Sequence, residues 1–418
     1  MGTVVYTLAG YHLSNLYVRA AVGEYTAMVF IPLAFYGLYS LLQGDKKGVV
    51  RLTLAATGLI NAHILTTELI AAVLFIYMLA NFRDTLAQIK SLLVTLAFIL
   101  GINAFFLVPF IDSYTSQDLY INTKLTTTGI QSEGLYLRQI LGLITTGSGS
   151  SYENSYTDEG YLNLGLLIIA CALSMVLVII KNKKWLKSEE ERKSFKQVLT
   201  VFIVGVIAAF MSSIYFPWDA FRGTGILAKL FTSVQYPWRY LMIQTACFSL
   251  CGVYALRLIA IHITDRTGKK NMLEFKSTLR YDRVYVVMAM VIMLLAVGLT
   301  GIFDYELACK NVTVANATAG EDWADKLYLP AGTDRDYLKS HPYEGKLAYS
   351  HLHVYDEEGQ EVECDVNDNN VLVLPDSTSH YTYKFVVPLS WHVAEAISVA
   401  TMVVAGVFLY KRRGRKYA

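Results

Sequence analysis

Charged residues are scarce in this sequence: only 17% of its 418 residues are Asp, Glu, Lys or Arg, whereas 54% are hydrophobic. A soluble domain of ordinary composition has about 25% charged residues, so the composition excludes an ordinary soluble enzyme. Neither charge is in large excess, because the sequence has 36 basic and 34 acidic residues. This balance excludes nucleic-acid binding that is driven by the net charge of the protein.

Three catalytic sequence motifs are missing as well. The sequence contains no glycine-rich phosphate loop, no HExxH zinc motif and no GxSxG nucleophile motif, which excludes the enzyme classes that these motifs mark. Cysteine is rare, and three of the five cysteines lie in apolar stretches, where they are interpreted as packing residues: Cys171, Cys247 and Cys251.

Long apolar runs are what the sequence does have. An apolar helix of about 20 residues is long enough to cross a bilayer, and the sequence therefore predicts a polytopic α-helical membrane protein surrounded by lipid. Seven stretches meet this criterion: 24–43, 91–111, 161–180, 198–216, 240–262, 284–303 and 389–410. Together with the segment 52–80, the first six of them form a predicted transmembrane core over residues 24–303.

The apolar segment 52–80 is too long for one upright span, since its helix would measure about 43 Å. Its middle is polar, and basic residues flank both of its ends. Because basic loops stay in the cytoplasm, the pattern predicts a re-entrant-like helical hairpin with both ends cytoplasmic. Thr66 or Thr67 is expected to cap the second helix, with Glu68 in its first turn.

The distribution of Lys and Arg predicts an orientation in the plasma membrane. With the hairpin included, the basic loops and the basic tail 411–418 are cytoplasmic, and the carboxyl terminus is inside. The amino terminus is then outside, and residues 1–23 form an entry segment at the outer face. This segment has no signal-peptide pattern.

Residues 304–388 are the one sizeable polar segment, and they are predicted to form a small extracellular β-sandwich-like domain. Runs rich in aromatic and β-branched residues alternate with turn residues: 346–355, 371–375 and 381–387. Cys309 and Cys364 lie in this segment and form a disulfide if the compartment is oxidising.

The strongest local signal for a binding site is Arg239 in the run Gln235-Tyr-Pro-Trp-Arg-Tyr240. A cation in the first turn of a helix opposes the macrodipole, so its presence indicates an anion such as phosphate. Arg19 occupies a similar place near Glu24, and the two arginines are predicted to bind one phosphate. The alternative for Arg239 is an interfacial anchor that reaches lipid phosphate.

Several carboxylates are candidates for a catalytic role. Glu24 is a candidate base, a metal ligand or a first-turn carboxylate that favours the helix dipole, and Asp112 and Asp219 are weaker candidates for the base. His63 and Glu68 are expected to line a polar cavity or to bond each other, because polar groups are costly in a membrane. The cofactor stays open, with a divalent metal as one alternative.

Five elements carry a resemblance to a known family: Leu16-Tyr-Val-Arg-Ala-Ala-Val-Gly-Glu24, Ile31-Pro-Leu33, His63, Gln235-Tyr-Pro-Trp-Arg239 and Tyr328-Leu-Pro330. In these elements the sequence resembles the bacterial integral membrane family labelled 6-pyruvoyl-tetrahydropterin synthase-related domain. It is also similar to the wider YfhO-like glycosyltransferases of GT-C type. No residue here indicates pterin chemistry.

The resemblance implies an enzyme that transfers a sugar from a polyprenyl-phosphate donor to a glycan or envelope polymer at the outer face. In such enzymes the main acidic residue lies in the first outer loop, which this sequence lacks. The resemblance therefore implies an N-terminally truncated chain, and it leaves open whether this fragment is active. Two other functions stay open: a lipid or polysaccharide transporter or flippase, whose helices are also broken, and a cell-envelope assembly protein.

Overall fold

The computed structural model is predominantly helical. The residues that it describes are 2–120, 130–141, 162–221, 234–267, 272–274, 280–282, 286–295, 297–298, 329–340, 346–375 and 380–414. They divide between two compact units. The first unit contains α1–α6, α9–α13, β1 and β2, and the second contains α7, α8, α14, α15 and β3–β7, with the bounds given below.

The helices of the first unit are α1 Gly2–Thr7, α2 Gly10–Leu13, α3 Val22–Leu42, α4 Lys47–Ala62, α5 Ile64–Ala80, α6 Phe82–Ala87, α9 Leu137–Ile140, α10 Leu166–Trp185, α11 Glu189–Met211, α12 Leu241–Thr267 and α13 Val286–Leu295. A π-helical turn, Ser14–Val18, precedes α3, and a 3-10 turn, Pro237–Tyr240, leads into α12. The hairpin strands are β1 Met272–Glu274 and β2 Arg280–Asp282.

The second unit combines helices with two small antiparallel sheets. Its helices are α7 Ile89–Ile102, α8 Ala104–Thr115, α14 Arg335–Ser340 and α15 Leu389–Gly414. Its strands are β3 Leu352–Tyr355, β4 Glu361–Val362, β5 Asp365–Val366, β6 Leu372–Val373 and β7 Thr382–Phe385. One sheet has the order β4-β3-β7, with Val354 opposite Tyr383, and the other pairs β5 with β6.

Five helices among the described residues are long and apolar enough to cross a membrane. They indicate a membrane-embedded helical protein, and they coincide with five of the predicted stretches: 24–43, 161–180, 198–216, 240–262 and 389–410. In the stretch 284–303 the described part contains only the shorter apolar helix α13. The total of seven spans stays a prediction.

The prediction of one continuous helix over 91–111 is wrong. The helix is interrupted at Asn103, and the axes of α7 and α8 differ by 71°. The side chain of Ser398 on α15 contacts both sides of the break: its Oγ accepts from the Phe105 N–H at 2.9 Å and donates to the Gly101 carbonyl at 3.1 Å. One hydroxyl thus bonds a backbone donor and a backbone acceptor beside the break. These bonds lower the energetic cost of interrupting the helix in an apolar setting.

The segment 52–80 is divided into two helices, as expected, but α4 begins already at Lys47 and the division lies at His63. The expected cap at Thr66 or Thr67 is wrong. His63 has an extended backbone, and its Nδ1 accepts the Thr66 N–H at 3.3 Å, so His63 caps α5. The membrane orientation of this segment stays a prediction.

Residues 2–18 contain α1, α2 and the π-helical turn, and several of their side chains are buried, among them Tyr6, Tyr11 and Asn15. A Cβ on Gly2 would lie 2.9 Å from the side chain of Val253 in the middle of α12, and the Tyr6 hydroxyl donates to the Met28 carbonyl at 2.7 Å. Helix α1 therefore lies beside the body of α12, and the assignment of residues 1–23 to an entry segment at the outer face stays a prediction.

Each of the three predicted β runs contains a strand, although the strands are short. Residues just after α8 are bonded to this region, since the Gln117 side chain donates to the Ala348 carbonyl at 2.8 Å and accepts from the Ser350 N–H at 3.2 Å. The extracellular location and a sandwich arrangement stay predictions. Cys309 lies outside the described residues, so the disulfide with the half-buried Cys364 is also still a prediction.

Helices α3 and α4 form a tight antiparallel pair because glycines lie at their contact. A Cβ on Gly37 would lie 2.7 Å from the backbone nitrogen of Leu52, and one on Gly48 would lie 2.5 Å from that of Leu41. Both distances are shorter than real Cβ contacts. The pair therefore holds the amino-terminal end of α3 close to the end of α4 at His63.

We expect Gly37→Val to destabilise the protein, because the added side chain meets backbone atoms that cannot move independently. Overpacking of this kind costs roughly 1–3 kcal/mol. Thermal unfolding in detergent measures the change. Gly406→Val is the control, since a Cβ there meets nothing within 4 Å. Equal unfolding temperatures for the two variants would contradict the close packing of α3 on α4.

Candidate functional site

Two sharp turns bring Arg19 and Arg239 toward the amino-terminal end of α3. Ala20 has a left-handed backbone with φ 48°, and the Ala21 N–H bonds back to the Asn15 carbonyl at 2.9 Å. Gln235 is also left-handed, with φ 63°, just before the 3-10 turn that carries Arg239. A left-handed residue other than glycine is strained by about 1–2 kcal/mol, and such strain is frequent at functional sites.

The carboxylate of Glu24 lies at the centre of these turns and is only 2% exposed. Its Oε1 accepts a short hydrogen bond from the Tyr11 hydroxyl and a longer one, 3.4 Å, from the Asn15 side chain. Its Oε2 lies 3.2 Å from Arg19 Nη1 and 3.9 Å from Arg239 Nε. We call these five residues the arginine–glutamate cluster.

Arg239 is buried but only partly bonded. Its Nη1 donates to the Val234 carbonyl at 2.9 Å and to the Gln235 side chain at 2.8 Å, and its guanidinium lies 5.3 Å from the centre of the Tyr236 ring. Its Nε has no hydrogen-bond partner among the described residues. A buried donor of a charged group is costly when it is left unbonded, so this N–H is suited to the oxygen of a ligand.

Arg19 is the more open of the two arginines, with 21% of its side chain exposed. It donates a short hydrogen bond to the Asn15 side chain and lies 3.4 Å from the Tyr11 hydroxyl. One edge of the cluster is therefore accessible at Arg19, while Arg239 lies further in.

The cluster carries one net positive charge. Arginine does not lose its proton in proteins, so two guanidiniums face one carboxylate. Burial, and next the Glu24 carboxylate, raise the pKa of Tyr11 well above its ordinary value, and Tyr11 is a neutral donor. His63 is neutral too, because its Nδ1 accepts a backbone N–H. One positive charge is thus available to an anion.

The structure places the predicted site residues in different settings. Arg19, Glu24 and Arg239 come together, and His63 lies beside them, since its Cδ2 is 3.3 Å from where a Cβ on Gly23 would lie. Glu68 on α5 is half-buried, and its charge is close enough to Tyr240 to interact with that phenol.

Asp112 and Asp219 have structural bonds of their own. Asp112 lies in the second unit, where its Oδ2 accepts from the Trp391 indole N–H at 2.8 Å and lies 2.9 Å from His351 Nε2. Asp219 Oδ1 accepts the N–H groups of Ile130 and Gln131 at 3.0 and 3.2 Å. Both carboxylates hold local structure, and neither is seen in the arginine–glutamate cluster.

No group of three or more His, Cys, Asp or Glu side chains suited to a metal occurs in the described ranges. His351 and His353 are two residues apart, but they bond different carboxylates. His351 bonds Asp112, and His353 bonds Glu361 at 2.6 Å. Divalent metal chemistry therefore has no candidate ligand set in this part of the chain.

The sequence reasoning missed Tyr11 and Asn15. Their signal was nevertheless present, because Tyr11, Asn15 and Arg19 recur at intervals of four residues, which places them on one face of a helix. The π-helical turn Ser14–Val18 keeps these side chains together on the Glu24 carboxylate.

Comparison of the chain with protein-family models, with curated proteins and with solved structures finds no match.

We expect Glu24→Gln to destabilise the protein by roughly 3–5 kcal/mol, the usual cost of leaving buried charge without its partner. The substitution keeps the shape of the side chain and removes only its charge. Thermal unfolding in detergent measures the loss. Asp45→Asn is the matched control, because Asp45 forms a 2.8 Å ion pair with Arg51 at an exposed site, where little change is expected. Equal effects of the two variants would contradict a structural role of the buried ion pairs.

Proposed function

We propose that the chain is a GT-C-like membrane glycosyltransferase that binds a polyprenyl-phosphate-linked sugar donor at the outer face. The observation that carries the proposal is the convergence of Arg19 and Arg239 on a single buried carboxylate. This arrangement leaves one positive charge for an anion, and the buried Nε–H of Arg239 has no hydrogen-bond partner in the part of the chain that the structure describes. The resemblance in sequence supplies the class of ligand.

In this proposal the phosphate approaches from the side of Arg19, which is partly exposed, and its oxygens bond Arg19 and the Nε–H of Arg239. Guanidinium groups suit phosphate because their planar fork can bond two oxygens. The amino-terminal end of α3 adds the positive end of its dipole. The lipid chain stays in the bilayer, and the sugar faces a glycan or envelope polymer that accepts it.

The proposed reaction is an inverting transfer, in which a base takes a proton from the acceptor. Glu24 is poorly suited to be this base, because both of its oxygens are already engaged by donors. Asp112 and Asp219 accept hydrogen bonds as well. The proposal therefore gives the two arginines the role of binding the phosphate and assigns the base to none of these three carboxylates.

A transporter or flippase is the second candidate, and the broken helices favour it. Transporters form binding sites from discontinuous helices, and this chain has a break at His63 in one unit and a 71° bend at Asn103 in the other. Sugar transfer to an acceptor in detergent supports the transferase. Movement of the lipid across vesicles without transfer supports the flippase.

We also propose the topology that accompanies this function. The protein lies in the plasma membrane with seven spans and a re-entrant-like hairpin over 52–80. The amino terminus and a β domain over 304–388, with a disulfide between Cys309 and Cys364, are outside. The basic tail 411–418 is cytoplasmic. The support is the distribution of basic residues.

We expect Arg239→Lys to weaken binding of a polyprenyl-phosphate sugar almost as much as Arg239→Ala does. Lysine keeps the charge but loses the planar fork and the Nε–H that faces the ligand. Binding is measured on the protein in nanodiscs, and a loss of at least about tenfold is expected for both variants.

Arg51→Lys is the control for this experiment, because Arg51 pairs with Asp45 at a surface site and should not affect binding. If both Arg239 variants bind the lipid as tightly as the parent, Arg239 serves only as a buried ion-pair partner of Glu24, and the phosphate site is refuted.

For the topology, single cysteines replace Lys47 and Lys90, both of which are exposed in the structure. Native cysteines are first removed, and a membrane-impermeant maleimide is applied to intact cells and to inverted vesicles. We expect labelling of both positions only in inverted vesicles. Labelling of position 90 in intact cells would contradict the hairpin.

A further inference from the structure

We propose that Glu24 sets the charge selectivity of the arginine–glutamate cluster, so that the site takes a singly charged phosphodiester in preference to a doubly charged phosphate. This inference rests on the proposed function, since it concerns the same site. It assigns to Glu24 a role in specificity in place of a role as base.

The charge of the cluster depends on how Glu24 is paired. Glu24 is held by two guanidiniums, with Oε2 at 3.2 Å from Arg19 and 3.9 Å from Arg239. Because Tyr11 and His63 are neutral, the sum over these groups is one positive charge. A single negative charge on the ligand brings the buried site to neutrality, which is the least costly state in a medium of low polarity.

Glu24 lies close to the N–H group of Arg239 that is proposed to bond the ligand. The Nε of Arg239, which has no hydrogen-bond partner among the described residues, lies 3.9 Å from Oε2 of Glu24. A ligand oxygen that bonds this N–H therefore comes close to the carboxylate. The Glu24 carboxylate would repel a second negative charge on the ligand, and like charges in contact lower the affinity of a complex.

The donor lipid and the lipid that remains after sugar transfer differ in charge. A sugar linked to polyprenyl through one phosphate is a phosphodiester with one negative charge. A polyprenyl monophosphate is a monoester, and above its second pKa, near 6, it carries almost two negative charges. The same site thus binds the donor and disfavours the monoester that remains after the sugar has been transferred, which favours release of that product.

The test compares two lipids of equal chain length, a polyprenyl-phosphate sugar and a polyprenyl monophosphate, at pH 8 in phosphatidylcholine nanodiscs. For the parent we expect the phosphodiester to bind at least about tenfold more tightly. Glu24→Gln raises the charge of the cluster to two, so this ratio should fall by at least about tenfold. Glu24→Asp keeps the charge and should keep the ratio, even if both affinities decrease.

Arg19→Gln tests the same rule in the opposite direction, because it makes the cluster neutral. Both lipids should then bind more weakly, and the ratio in favour of the phosphodiester should rise above that of the parent. This variant decides the question by itself if Glu24→Gln does not fold, which size-exclusion chromatography shows first. Asp45→Asn, an exposed carboxylate beside Arg51, should leave the ratio unchanged.

The possible failures are distinguishable. Ratios for Glu24→Gln and Arg19→Gln within twofold of the parent would overturn the role of Glu24, while the proposed function stands if the Arg239 variants still lose binding. If the parent binds neither lipid, the proposed function itself fails. Phosphatidylglycerol, which is also a phosphodiester, serves as a competitor. We expect a hundredfold excess to displace less than half of the sugar lipid, and larger displacement would overturn the assignment to a sugar donor.

Discussion

The burial of Glu24 between two arginines is the interaction on which the rest of the first unit depends. A buried carboxylate is stable only when it is paired and hydrogen-bonded, and here the donors come from two separate parts of the chain. Tyr11 and Asn15 lie before α3, and Arg239 lies more than 200 residues later. The left-handed turns at Ala20 and Gln235 are strained, and the ion pairs that they make possible offset that strain.

The same constraint, polar groups inside an apolar protein, explains the broken helices. A break in a helix exposes backbone donors and acceptors, and lipid offers them no partner. At the end of α4 the imidazole of His63 accepts the freed Thr66 N–H. At the bend between α7 and α8 the Ser398 hydroxyl bonds groups beside the break. In each unit a break is thus accompanied by a polar side chain that bonds the freed backbone.

Much of the helical architecture could be predicted from the sequence, since five apolar stretches of about 20 residues became five long helices. The bend at Asn103 could not be predicted, because Ser398 contacts it from a distant part of the chain. The convergence of Arg19, Glu24 and Arg239 followed from their places at helix starts. The bonds of Asp112 could not be predicted, because its partners His351 and Trp391 follow it by more than 200 residues and no local pattern links them.

The carboxylates also show why residue type and position alone predict chemistry poorly in such a protein. Glu24, Asp112 and Asp219 each looked available in the sequence, yet each accepts hydrogen bonds that hold structure in place. A carboxylate that is needed for folding cannot easily exchange protons during a reaction, because each protonation would weaken the bonds that position it. Under the proposed function, phosphate binding and proton transfer are therefore expected to reside on different residues, with the arginine–glutamate cluster as the proposed phosphate site.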